Sequence, residues 1–118
     1  MNHDAIYQWH KIAGSVKELP FFDNPILKFT IEDATICVVN LKDNLYACDA
    51  RCPHAGAGLD DGKIDRKGNI VCPLHGYSFN IITGRDTFNE GYFLKKYPVN
   101  VNENGVFVGI KKGPENTN

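Results

Sequence analysis

Cys52-Pro53-His54-Ala55-Gly56 and Cys72-Pro73-Leu74-His75-Gly76 are the two segments on which the reading of this chain turns. Each supplies one thiolate and one imidazole. Seventeen residues lie between His54 and Cys72, so the pattern is C-x-H-x17-C-x2-H. Each cysteine precedes a proline, which fixes φ and offers no N–H. Each histidine is followed within two residues by a glycine, which lets the backbone turn tightly around a bulky centre. Sulfur and imidazole nitrogen together make a metal-binding donor set.

Working outward, the stretch from about Cys48 to Gly84 holds six of the eleven glycines, two prolines and three cysteines. This is loop-rich sequence, and loops held on a rigid scaffold are where chemistry concentrates. Asp61-Gly62 and Lys67-Gly68 mark turns, and Asn69-Ile70-Val71 reads as a short strand leading to the second loop.

On either side the periodicity is that of strands. Leu27, Phe29 and Ile31 alternate with Lys28, Thr30 and Glu32, which predicts a half-buried strand. Thr35 to Leu41 is nearly continuous apolar sequence, the pattern of a strand covered on both faces. Lys42-Asp43-Asn44 predicts a hairpin turn into Leu45–Cys48. Tyr97, Val99 and Val101 alternate with Asn100 and Asn102, and Glu103-Asn104-Gly105 turns the chain into Val106–Ile110. Pro98 favours an edge position or an end of pairing. No amphipathic helix longer than two turns is visible, and residues 113–118 are expected to fray.

A chain of 118 residues makes one domain. Thirteen basic against fourteen acidic residues give a net charge of −1, without the basic excess that nucleic acid or an anionic membrane demands. No apolar run approaches the roughly 20 residues that span a bilayer. The N-terminus lacks the basic and apolar regions of a secretory signal, so a cytoplasmic location is expected. In that reducing setting, cysteines serve as ligands or buried thiols rather than as a disulfide framework.

The paired loops and their surroundings resemble the Rieske [2Fe–2S] family. The likeness is close from Tyr46 to Phe79 and looser across the flanking strands, the Thr83-Gly84 turn and Tyr97-Pro98-Val99. It implies an all-β fold, an antiparallel β-sandwich with an inserted cluster-binding subdomain. A basal part would use about residues 5–47 and 84–111, and the cluster-binding part about 48–83. It implies one [2Fe–2S] cluster, with Cys52 and Cys72 on one iron and His54 and His75 on the other. Replacing two thiolates by neutral imidazoles makes the core less negative, so it accepts an electron more easily. The implied function is that of a soluble ferredoxin. It would carry single electrons from a flavin reductase to a terminal oxygenase and would not itself be an enzyme. Alternatively, the chain is a small subunit or domain of an NAD(P)H-dependent nitrite reductase, docking on its large subunit.

The same four ligands could instead hold a structural Cys2His2 zinc ion. A single residue between Cys52 and His54 is not the usual zinc-knuckle spacing, and the Gly/Pro framing matches the Rieske loops better. Cys37 is expected to be a buried thiol; Cys48 is another, or a third sulfur for zinc. His3 and His10 are expected at the surface or in packing. They are not arranged for the two-histidine, one-carboxylate iron of an oxygenase subunit.

The sequence departs from the family at one place, and from its high-potential members at others. The loop Arg85–Phe93 lacks the proline many members carry there, which leaves Phe88, Gly91 and Tyr92 as candidates to cover the centre. Ala57 and Leu74 stand where high-potential members place a disulfide that braces the two loops. Tyr77 and Phe79 stand where those members place a serine and a tyrosine.

Overall fold

The alternation of Leu27, Phe29 and Ile31 forms β2 (Ile26–Ile31), with those three side chains half-buried and Lys28 and Thr30 exposed. The apolar run forms β3 (Ala34–Leu41), in which Ile36, Cys37, Val38 and Val39 have no exposed surface. It pairs with β4 (Asn44–Asp49) through a two-residue turn. Lys42 (φ 51°) and Asp43 (φ 69°) both take the left-handed conformation this tight hairpin requires. Neither is a glycine, and the Asn40 Oδ1 compensates by accepting the Asp43 N–H at 3.2 Å.

The computed structural model describes residues 6–111; the expected fraying of 113–118 and the position of His3 lie outside them. The remaining strands are β1 (Tyr7–Ala13), β5 (Lys63–Ile64), β6 (Asn69–Val71), β7 (Ser78–Asn80), β8 (Lys96–Tyr97), β9 (Val99–Asn102) and β10 (Gly105–Lys111). The registered pairs among them are antiparallel, so the fold is all-β as expected. Short 3-10 turns lie at Val16–Glu18 and Leu59–Asp61. No helix among the described residues is long and apolar enough to cross a membrane.

The chain forms two compact units. One takes residues 6–19 and 97–111 of the described chain; the other takes 20–96. In the first, the sheet order is β1-β10-β9, which leaves β9, entered from Pro98, at an edge. Strand β1 had no clear signal in the sequence. Its burial does not alternate, and its pairing with β10 slips between Lys11 and Ala13, a bulge that breaks the two-residue period.

In the second unit, one sheet runs β2-β3-β4, and a smaller sheet runs β5-β6-β7. One core joins them, with Phe79, Leu59 and Ile70 fully buried beside Cys37, Cys48, Cys52 and Cys72. Burying a side chain such as Phe79 contributes roughly 1.5–3 kcal/mol. That core carries the two loops that bear the histidines.

Candidate metal centre

One closure builds both loops. In the first, the Cys52 N–H donates to the Ala57 carbonyl at 2.9 Å; in the second, the Cys72 N–H donates to the Tyr77 carbonyl at 2.7 Å. Each bond spans the same interval, and each encloses the Cys-Pro step, where the ring offers no N–H to satisfy. The first loop is pinched at its base by the Arg51–Gly58 bridge and by the Leu59 N–H donating to the Ala50 carbonyl at 2.7 Å. The tip of the second turns on two successive left-handed residues, His75 (φ 71°) and Gly76 (φ 69°). A non-glycine residue there costs roughly 1–3 kcal/mol, and such costs cluster at functional sites.

The second loop is set in place from below. Gly62 ends the Leu59–Asp61 turn and lies hard against β6: a Cβ built on it would meet the Val71 carbonyl oxygen at 2.0 Å. Only glycine allows this approach, which fixes β6 one residue before Cys72.

The structure brings Cys52 and Cys72 together, with 1% and 0% exposure and their thiols within hydrogen-bonding reach. Burial pushes the Cys72 thiol up; the Leu74 N–H, which donates to its sulfur, acts the other way, and Cys52 adds to the rise. His54 is half-buried, and its Nδ1 is buried with no hydrogen-bond partner. A buried ring nitrogen left without a partner is costly, and coordination to a metal satisfies it. His75 is exposed at the tip of the second loop. Two buried sulfurs side by side and an orphaned imidazole nitrogen fit the donor set of a Rieske cluster. Among the described residues no three His, Cys, Asp or Glu side chains gather around one position.

His54 is enclosed by aromatic rings. Tyr77 lies parallel to it, centroids 4.0 Å apart and planes within 2°. Tyr92 stands edge-on at 5.2 Å and 90°. Phe88 packs on the other ring, 4.8 Å from Tyr77. Of the three candidates in the loop without proline, Phe88 and Tyr92 therefore supply the packing, and Gly91 (φ 91°) supplies a turn.

That loop is organised by Asp86, which the sequence did not single out. Its buried carboxylate accepts the Tyr92 N–H at 2.7 Å and the Glu90 N–H at 3.0 Å. Burial pushes the Asp86 carboxyl up, but the N–H groups of Glu90, Tyr92, Asn89 and Phe88 outweigh it and hold it below the usual carboxylate range. The Tyr77 hydroxyl donates to Glu90 Oε1 at 2.8 Å and lies 3.5 Å from Asp86 Oδ2. Burial first, then the Glu90 hydrogen bond, pushes the Tyr77 phenol well above its ordinary value. An aspartate followed by polar and glycine residues was the only available signal, and it reads as an ordinary turn.

Comparison with known proteins points to one family. The family model described as the Rieske [2Fe-2S] domain matches residues 8–91. The ferredoxin component of the naphthalene 1,2-dioxygenase system of Pseudomonas aeruginosa is 29% identical over 103 residues, covering 83% of this chain and 92% of its own. A solved complex of reduced oxygenase and oxidised ferredoxin in carbazole 1,9a-dioxygenase contains a chain that is 29% identical, with a TM-score of 0.69, covering 84% of this chain and 99% of that one. The NADH-dependent nitrite reductase small subunit of Mycobacterium tuberculosis superposes with a TM-score of 0.77 at 19% identity, over 92% of this chain and 99% of that one, a likeness of fold alone.

Proposed function

Because the chain belongs to the Rieske [2Fe–2S] family, we propose that it is a soluble ferredoxin that passes single electrons from a flavin reductase to a terminal oxygenase. It binds one Rieske-type [2Fe–2S] cluster. Cys52 and Cys72 would hold one iron and His54 and His75 the other, and about residues 48–83 would form the cluster-binding part of a single functional domain. Bound there, the cluster supplies reversible one-electron chemistry. The protein's own share is to bury the sulfurs, hold the imidazoles and present one edge to a partner.

The observation that carries this reading is the buried, partnerless Nδ1 of His54 beside two adjoining buried thiols. Likeness in sequence to a dioxygenase ferredoxin component supports the partner class; the nitrite reductase likeness extends only to the fold. The chain is a carrier rather than an enzyme, and it works in the cytoplasm. Its contact face is small and apolar: Pro53, Leu74 and Phe88 are exposed around the loops.

Purified protein should contain two irons and two inorganic sulfides per chain, and His54→Cys or His75→Cys should move its EPR spectrum toward that of a four-thiolate cluster. Mixed with a flavin reductase and a terminal oxygenase, it should restore substrate oxidation that neither supports without it. Zinc in place of iron, in protein from iron-replete anaerobic cells, would refute the cluster. Turnover with a nitrite reductase large subunit alone would reassign the partner.

A further inference from the structure

We propose that Tyr77 is the positioning residue of the centre, a keystone that fixes the ring of His54 by tying three loops together. This rests on His54 being a cluster ligand. His54 belongs to the first loop and Tyr77 follows the second, so their stack is a tie across the two. All four cysteines are free thiols, so no disulfide shares that task. A ligand imidazole aims its nitrogen by rotating about its own side-chain bonds. A parallel ring at 4.0 Å and 2° opposes tilting, and Tyr92, edge-on to both rings, blocks the sideways swing.

The tie is anchored at its far end. Glu90 accepts the Tyr77 hydroxyl at 2.8 Å, and Asp86, which orders that loop through backbone N–H groups, lies 3.5 Å away. A core tyrosine that merely filled space would not need coplanarity with an imidazole. The arrangement follows the rule that outer partners of a ligand orient it and tune its site.

The test uses the cluster-loaded protein and Tyr77→Phe, Tyr77→Leu and Glu90→Ala. Tyr77→Phe keeps the ring and loses the anchor; Glu90→Ala loses the anchor from the other side; Tyr77→Leu loses the stack. Two readouts serve: the rate of cluster release to an iron chelator, and the nitrogen hyperfine couplings of the reduced centre in protein with labelled histidine. For Tyr77→Leu, release should quicken about tenfold, equivalent to about 1.4 kcal/mol and within what an aromatic pair contributes. One histidine nitrogen should broaden while the other stays sharp. The two anchor variants should move both readouts the same way by roughly two- to threefold. Folded variants with unchanged release and couplings overturn the proposal. If Tyr77→Leu does not fold, the anchor variants decide: no change in either readout overturns it. Wild-type protein without two irons and two sulfides would instead defeat the cluster reading, so the two failures are distinguishable.

Discussion

Cys37 and Cys48 stand directly opposite each other in the β3–β4 ladder, both without exposed surface and hydrogen-bonded thiol to thiol. That bond first, and burial second, pushes the Cys48 thiol far above its ordinary value. The folded chain therefore keeps a proton that the unfolded chain gives up at about pH 8.5. The contribution to stability is complete below that pH and is lost as pH rises above it. Urea unfolding should show stability falling from about pH 8.5 upward, and Cys48→Ala should flatten part of that slope while costing about 1 kcal/mol at neutral pH. Native alkylation followed by mass spectrometry should leave both residues unmodified.

The midpoint potential should lie near the low end of the Rieske range, about −150 mV. Hydroxyls that could donate to the cluster sulfurs are committed elsewhere: Tyr77 to Glu90 at 2.8 Å, and Ser78 to Thr87 at 2.6 Å. Phe79 has no donor. Negative charge on the neighbouring loop also opposes adding an electron. Glu90→Gln should raise the potential by on the order of 30–60 mV, up to tenfold in the equilibrium constant. Protein-film voltammetry measures both, and a wild-type midpoint above zero would contradict the prediction.

Two glycine substitutions should separate crowding from backbone conformation. In Gly62→Ala the new methyl meets the Val71 carbonyl oxygen at 2.0 Å. Stability should fall by about 2–3 kcal/mol, and iron content should fall with it because β6 shifts beneath Cys72. In Gly76→Ala nothing lies within 4 Å, and the penalty is the left-handed backbone at φ 69°. That variant should lose about 1–2 kcal/mol and keep its iron. Chemical denaturation with metal analysis reads both.

Acid should weaken the β5–β6 hairpin. The Asp65 carboxylate accepts the Asn69 N–H and the Lys67 N–H, each at 2.9 Å, and the Asn69 side chain at 3.2 Å. The Asn69 N–H leads in holding it below the usual carboxylate range, against the opposing effect of burial. Its contribution is therefore full above about pH 4 and is lost as pH falls through the lower folded value. Asp65→Ala should cost roughly 1–2 kcal/mol at pH 7, and the gap to wild type should narrow below pH 4.

Electron transfer should depend weakly on salt. The net charge is −1, and the exposed residues beside the loops include Leu74 at 45% and Phe88 at 53%. Raising ionic strength from low to physiological should change the stopped-flow rate by less than about tenfold. Leu74→Asp should slow transfer far more than salt does.

The donors and most of the strands were legible because both are local signals. A Cys-Pro-x-His spacing and the alternation around Phe29 need only neighbouring residues to be read. The loop from Asp86 to Tyr92 was not legible, because it is organised by one carboxylate collecting backbone N–H groups, which leaves no apolar period. The stack of Tyr77 on His54 joins separate loops, and its geometry exists only once both are folded. Strand β1 was hidden by its bulge. Ala57 and Leu74 stand where a bracing disulfide would need cysteines; nothing in the sequence revealed the aromatic tie that spans the two loops.

Pro98 also bears on how the molecule avoids unwanted company. An exposed edge strand is a template for aggregation, since its unpaired backbone groups invite a further strand. Here the chain enters edge strand β9 from a residue with no N–H, and the strand itself carries Asn100 and Asn102. A foreign strand laid along that side would lack a donor at its first register. Sheet extension, once formed, is slow to undo, whereas contacts through loop tips dissolve quickly. Discouraging the first keeps association confined to the second, so crowding should raise the frequency of encounters without building fibres.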